Sequence, residues 1–354
     1  MGRICLRMEI NMKKLIKQSV IIMIIISISA LTACGINGKN TDNDEQNNTR
    51  YNAESAQVGE LKVAALKGPT GIGMVKLMQD SQDGKTANKY DFKIAAAADE
   101  FSASLIKGDI DAAALPCNAA AALYNKSGGK IKVIAINTLG VLYILDTGNE
   151  VKTLSDLKGK TIYTTGKGTT PEYTLKYLLE QAGLDVEKDV KIEFKSEAAE
   201  VAAIMKKSEN DVVAMLPQPY VTTVMDSNPN VRIAIDVTKE WEKLSGGAST
   251  VVTGVIAVNT DYYNNNKAVI DKFMEEYRAS TQYVVENVEA SSNYVEKFGI
   301  FKTEVAKKAI PYCNITFISG DEMKEKIQSY LEVLYKENPA SVGGKMPDEN
   351  FYGM

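Results

Sequence analysis

The stretch Gly166-Lys167-Gly168-Thr169-Thr170-Pro171-Glu172 concentrates residues that could do chemistry. Its two glycines permit close backbone approach to a bound group, and its threonines set hydroxyls at a helix start. Free amides and the positive end of the helix dipole there attract an anion or a polar oxygen. The alternative is an ordinary strand-to-helix turn with Thr170 as N-cap and Pro171 at the first helical position. The stretch is not a Walker loop, since the Gly-x-x-x-x-Gly-Lys-Ser/Thr spacing is missing. Gly168, Thr169 and Thr170 are therefore candidate ligand contacts. Pro69, Thr70 and Gly71 form a second turn of this kind, with Thr70 either a contact or an N-cap. The Gly71-Ile72-Gly73 that follows is no dinucleotide fingerprint, because Lys76 stands where the third glycine belongs. Asn118, after Pro116-Cys117, has the same two readings, with capping favoured. Asn137, Thr138 and Gln218 add uncharged donors and acceptors. Thr253 reads as a strand residue chosen for β-propensity, and Trp241, the only tryptophan, as packing.

The absences narrow the chemistry. The chain has no histidine, which excludes histidine metal sites, Ser-His-Asp triads and Cys-His dyads. Hydroxyls, amides and backbone N–H groups with few titratable side chains make a binding site, so no catalytic residue, metal or cofactor is expected. Lys167 and Glu172 are the exceptions, and such a lone pair is usually structural or steering. Of four cysteines, Cys5 and Cys34 lie in the leader region. Cys117 and Cys313 allow one disulfide or two buried thiols, and cysteine's behaviour as a small core hydrophobe favours the thiols.

The elements that must position these residues begin with a leader. Lys13, Lys14 and Lys17 precede the apolar run Val20–Ile28, and Leu31-Thr32-Ala33-Cys34-Gly35 follows. A cationic start, a short apolar core and small residues before a cleavage point mark an export signal. The run is too short to span a bilayer, which takes roughly 20 apolar residues. The charged region fits a start at Met12 better than at Met1. Residues 34–57 are rich in Asn, Asp, Thr and Glu and predict a disordered tether. Residues 1–33 hold five of the 41 basic and one of the 45 acidic residues, so their removal leaves a net charge of −8. An acidic body has no electrostatic footprint for nucleic acid.

From Leu61 onward short apolar runs alternate with amphipathic stretches, which predicts an α/β fold with mostly parallel sheets flanked by helices. Strands are expected at 61–66, 92–97, 111–115 and 132–137. After Asp146 the pattern restarts, with strands at 160–165, 190–194, 211–216 and 231–236 and helices between them. A β-rich run spans 251–259, and the chain then reads as helical to Leu334. Two units and two β-rich passages imply two lobes joined by two crossings. Lobe 1 takes residues 60–142 plus 253–354, and lobe 2, an insertion, takes 146–249. Ligands of open α/β sheets bind beyond the carboxyl ends of the strands, which here face one cleft.

Gly68-Pro69-Thr70-Gly71, Asn137-Thr138-Leu139-Gly140, Asp156-Leu157-Lys158-Gly159-Lys160-Thr161, the Gly166–Tyr173 run and Leu216-Pro217-Gln218-Pro219 together resemble type 2 solute-binding proteins of ABC importers. The group is similar to nitrate, sulfonate, taurine and thiamine-precursor binders, and the likeness covers nearly all of residues 60–335. Leu-x-Ala-Cys at 31–34 resembles the bacterial lipobox, with Cys34 as the lipidated mature N-terminus. The resemblance implies two-lobed Venus-flytrap closure about the crossings, a small polar or anionic organic ligand, and delivery to an ABC transporter permease. The chain would be a monomer, extracytoplasmic and lipid-anchored to the outer face of the bacterial cell membrane. The alternatives are an enzyme on the same fold, of the menaquinone-pathway kind, or a surface sensor or scaffold. A thiamine-pyrimidine synthase shares the fold, but its histidine-dependent chemistry cannot operate here.

Overall fold

The computed structural model describes residues 58–209 and 211–353. The leader, Cys34 and the tether at 34–57 lie outside the described residues. Two open sheets follow one another along the chain. The first has strand order β11-β4-β10-β3-β1-β2 and the second β7-β6-β8-β5-β9.

The first sheet opens with β1 (Glu60–Leu66), the single-turn α1 (Pro69–Ile72), α2 (Val75–Gln82), β2 (Lys89–Ala95), α3 (Asp99–Lys107), β3 (Ala112–Pro116), α4 (Cys117–Ser127) and β4 (Ile131–Leu139). The chain then crosses to the second sheet. That sheet comprises β5 (Leu142–Asp146), β6 (Thr161–Thr164), α5 (Thr170–Gln181), β7 (Lys191–Phe194), α6 (Ala198–Lys207), β8 (Val213–Pro217), α7 (Tyr220–Ser227), β9 (Arg232–Asp236) and α8 (Val237–Leu244). The return crossing leads into β10 (Val252–Asn259), α9 (Thr260–Asn265), α10 (Lys267–Glu286), α11 (Val288–Lys297), α12 (Thr303–Ala309), β11 (Ile315–Ile318) and α13 (Gly320–Glu337).

Burial explains which runs became which strands. Central β3 and β5 are covered on both faces, and residues 112–115 and 142–146 are all buried. Edge strands β2 and β9 alternate between buried or half-buried and exposed positions, as edges with a solvated side do. The Asp156-Leu157-Lys158-Gly159 phrase has a structural task. Thr153 and Asp156 form a reciprocal capping box on a short 3₁₀ turn, and Gly159 takes a positive φ of 78°.

Two expectations need correction. The sheets are mixed, because β10 runs antiparallel to β3 and β4, and β5 runs antiparallel to β8 and β9. A strand that arrives from the other sheet enters against the direction of the local β-α-β units. The chain after β10 is also not wholly helical, since β11 pairs antiparallel with β4 as an added edge.

One hydrophobic cluster runs through both sheets' surroundings, joining Ala113, Cys117 and Ile136 to Leu142, Leu178 and Trp241, with Tyr330 of α13 among them. Trp241 is fully buried, as the packing reading expects, with its ring centroid 4.3 Å from Tyr177 and 5.3 Å from Tyr330. Cys117 and Cys313 are both free and buried, and burial pushes both thiols up. No helix among the described residues is long and apolar enough to cross a membrane.

Candidate functional site

The turns after β1, β3 and β6 put their polar residues where the two sheets meet. Asn118 is 1% exposed, and its Oδ1 accepts from the Thr170 backbone N–H at 3.1 Å and from the Thr170 hydroxyl at 3.0 Å. Its Nδ2 donates to the Ser341 carbonyl at 3.1 Å. The capping reading of Asn118 is thereby corrected. Pro116 occupies the N-cap of α4, and Asn118 lies inside the helix with its Oδ1 directed at Thr170 of α5.

Around α5 the N-cap is Thr169, with Thr170 the first helical residue. The Thr169 hydroxyl donates to Gly166 O at 2.7 Å, which leaves it engaged within its own turn. Gly166 and Gly168 have φ of 74° and 77°, a region that side-chain-bearing residues rarely adopt. Gly168 N–H donates to Glu172 Oε2 at 2.6 Å, and Lys176 pairs with the same carboxylate at 2.8 Å. Burial pushes the Glu172 carboxyl up, but Lys176 and the Gly168 amide outweigh it and hold it below the usual range. Two amides that were candidates for an anion are thus committed to Glu172 and to Asn118.

Thr70 is not an N-cap, since Gly68 holds that position in α1 and the Thr70 hydroxyl donates to Leu66 O at 3.3 Å. Pro69 and Gly71 fall in the same short turn. Gln218 turns inward on its own helix, and its Oε1 accepts from the Thr222 hydroxyl at 2.9 Å. Its backbone N–H donates to Val141 O at 3.0 Å, tying β8 to the first crossing.

Asn137 and Thr138 end β4 just before the crossing and are both fully buried. Neither side-chain atom of the Asn137 carboxamide has a partner, nor does the Thr138 hydroxyl. The Thr253 and Tyr277 hydroxyls are likewise buried and unpaired. Gly254 joins this group through space. A Cβ there would lie 2.5 Å from Asn137 Oδ1, 2.7 Å from Thr70 Cγ2 and 3.3 Å from Thr138 Cβ. Sequence reasoning set Thr253 aside and missed Gly254 and Tyr277. A lone glycine inside a strand run is a sign of a bulge or close approach, and the register shifts on both sides of Gly254. Tyr277 lies mid-helix in α10, and no local signal distinguishes it.

Helix α7 of the second sheet also touches the C-terminal helical region away from this cluster. Tyr220 of α7 meets Phe301 edge-on at 5.3 Å, and Lys308 of α12 pairs with Asp226 at 2.8 Å. Surface hollows of about 500, 690 and 440 Å³ lie elsewhere, and none is lined by Asn137, Thr138 or Thr253.

A crystal structure of an ABC transporter from Parabacteroides distasonis superposes with a TM-score of 0.69 at 25% identity, covering 83% of this chain and 98% of that one. The periplasmic aliphatic sulphonate binding protein SsuA from Escherichia coli gives a TM-score of 0.64 at 18% identity, covering 82% and 92%. This is the type 2 periplasmic-binding-protein fold. The alkanesulfonate-binding protein SsuA from Xanthomonas axonopodis pv. citri, bound to MOPS, gives 0.61 at 15% identity over 82% and 94%. Residues 126–291 match the family described as NMT1/THI5 like, which includes both crossings, all of the second sheet and the Asn118 partner Thr170. No curated protein sequence matches the chain. Asn137 and Thr138 end β4 just before the first crossing, and Thr253 lies in β10 just after the second.

Proposed function

We propose that this chain is the solute-binding component of an ABC importer. It takes a small polar or anionic organic molecule between its lobes and presents the closed form to a permease. The observation that carries this reading is the whole-length match to the Parabacteroides ABC transporter structure, in which 98% of that chain is covered. That coverage supports two lobes joined by two crossings, for which hinge closure is the expected motion. The lobes would be residues 60–142 plus 253–354 and residues 146–249, with ligand contacts drawn from Thr70, Asn118, Asn137, Thr138, Thr170 and their neighbours. A ligand would favour closure only by its greater affinity for the closed state. The lack of histidine and the hydroxyl-and-amide character of the cleft support binding without turnover.

The signal-like leader and Cys34 support an exported lipoprotein held at the membrane face. Metabolic labelling with palmitate tests the anchor. The wild type is expected to be labelled and membrane-bound, and Cys34→Ala to be unlabelled; an unlabelled wild type would remove the anchor from the proposal. Native mass spectrometry of the purified chain tests the carrier reading. A small molecule recovered chemically unchanged supports it, whereas conversion to product would move the chain to the enzymes of this fold.

A further inference from the structure

The ends of β4 and β10 nearest the crossings hold an unusual set of unpaired groups. Asn137 and Thr138 are completely buried at the last positions of β4, and three of their side-chain polar atoms lack any partner. Thr253, one residue before Gly254 in β10, adds an unpaired hydroxyl, and Tyr277 adds another from α10. The four side chains come from three elements that are remote in sequence. Asn137, Thr138 and Thr70 crowd together because Gly254 has no Cβ: all three lie within 3.3 Å of the place one would take. Tyr277 closes the other side, its hydroxyl 3.2 Å from where a Gly73 Cβ would stand. Buried polar groups in native proteins are nearly always paired, and each exception asks for a cause.

Resting on the proposed function, we infer that the ligand is an uncharged molecule carrying a hydrogen-bond donor beside an acceptor, such as a carboxamide, a ureide or a lactam edge, and that it docks on Asn137, Thr138 and Thr253. A carboxamide offers one acceptor and two donor hydrogens, whichever way the amide is turned. Only a partner with both functions satisfies the Asn137 pair. A sulfonate or nitrate accepts and does not donate, so it offers nothing to Oδ1. Hydroxyls of Thr138 and Thr253 rotate to serve either role. The opposite wall disfavours an anion independently. At the start of α5 the Gly168 and Thr170 amides are already taken, by Glu172 and by Asn118.

The test uses the full-length protein in detergent, with hydantoin and uracil as cyclic-amide probes and ethanesulfonate and nitrate as anionic ones, read by thermal shift and calorimetry. The cyclic amides are expected to stabilise the protein and the anions are not. Asn137→Leu is expected to abolish the probe's effect while leaving the melting temperature of the unliganded protein unchanged or higher, because an apolar group replaces an unpaired amide. A purely structural asparagine would instead give a lower melting temperature and overturn the assignment. Should Asn137→Leu fail to fold, Thr253→Val removes one hydroxyl without adding charge, and the loss of one neutral hydrogen bond predicts about tenfold weaker probe binding. Unaltered binding by Thr253→Val would overturn its place in the site. Stabilisation by ethanesulfonate alone overturns the neutral-ligand inference and leaves the carrier function standing. Stabilisation by neither class counts against both.

Discussion

Asn118 links three parts of the molecule through one side chain. Its Nδ2 is held by Ser341 O in the C-terminal segment, which fixes the amide so that Oδ1 faces Thr170. Truncation to alanine removes the acceptor of the buried Thr170 N–H and hydroxyl. Losing these two neutral hydrogen bonds is expected to weaken the closed arrangement by about 1–3 kcal/mol. Small-angle scattering of unliganded Asn118→Ala should therefore show a larger radius of gyration than wild type, with a lower melting temperature. Identical scattering and melting would mean that the bond spans the lobes without holding them. The residue type was legible in the sequence, since asparagine at the end of a strand invites attention. Its partner was not, because Thr170 lies 52 residues away and nothing local connects them.

Strand β10 shows how an element can carry a site. It enters the first sheet between β3 and β4, and the register shift at Gly254 lets Asn137, Thr138 and Thr70 crowd against its backbone. Gly254→Ala would force a methyl to within 2.5 Å of Asn137 Oδ1. Overpacking of this kind typically costs about 1–3 kcal/mol. The variant is expected to melt below wild type in thermal denaturation, and a melting point equal to wild type would show that β4 can give way. Much of the element order was legible. The strands fall close to their expected residues, with most ends shifted by one to three positions. Local periodicity reports on local burial, which is why β3 could be read. It says nothing of direction, so the antiparallel entry of β10 was invisible. Strand β11 was missed because four residues between two helices, half-buried at an edge, carry no alternation. The Thr70 and Asn118 caps were misjudged for a related reason. Capping residues and cleft residues share one chemistry, and only tertiary placement separates them.

The whole molecule is also tuned by acid. Glu337, at the end of α13, is pushed up to about 7, first by burial and then by the neighbouring Glu180 carboxyl at the end of α5. Helix α5 belongs to the second sheet's surroundings, and α13 packs against both α5 and β4. Tyr177 lies close enough for the Glu337 charge to push its hydroxyl up beyond the effect of burial, and the nearby Lys176 is paired with Glu172. A carboxyl with a raised folded-state value binds more protons folded than unfolded in the window between its ordinary value of 4.5 and about 7. Stability from this group is therefore full below the lower limit, falls as pH rises through the window, and is level above it. Glu337 is only partly buried, so solvent screening reduces the effect. Melting temperatures measured from pH 4.5 to 8 should decline for wild type across the window and decline less for Glu337→Gln, which keeps the hydrogen bond and removes the charge. The variant should be the more stable of the two at pH 8. Under the proposed hinge closure, the same titration should raise the open fraction, seen as a scattering radius that grows with pH in wild type and stays flat in Glu337→Gln. Parallel pH profiles for the two proteins would place the pair outside the closure equilibrium.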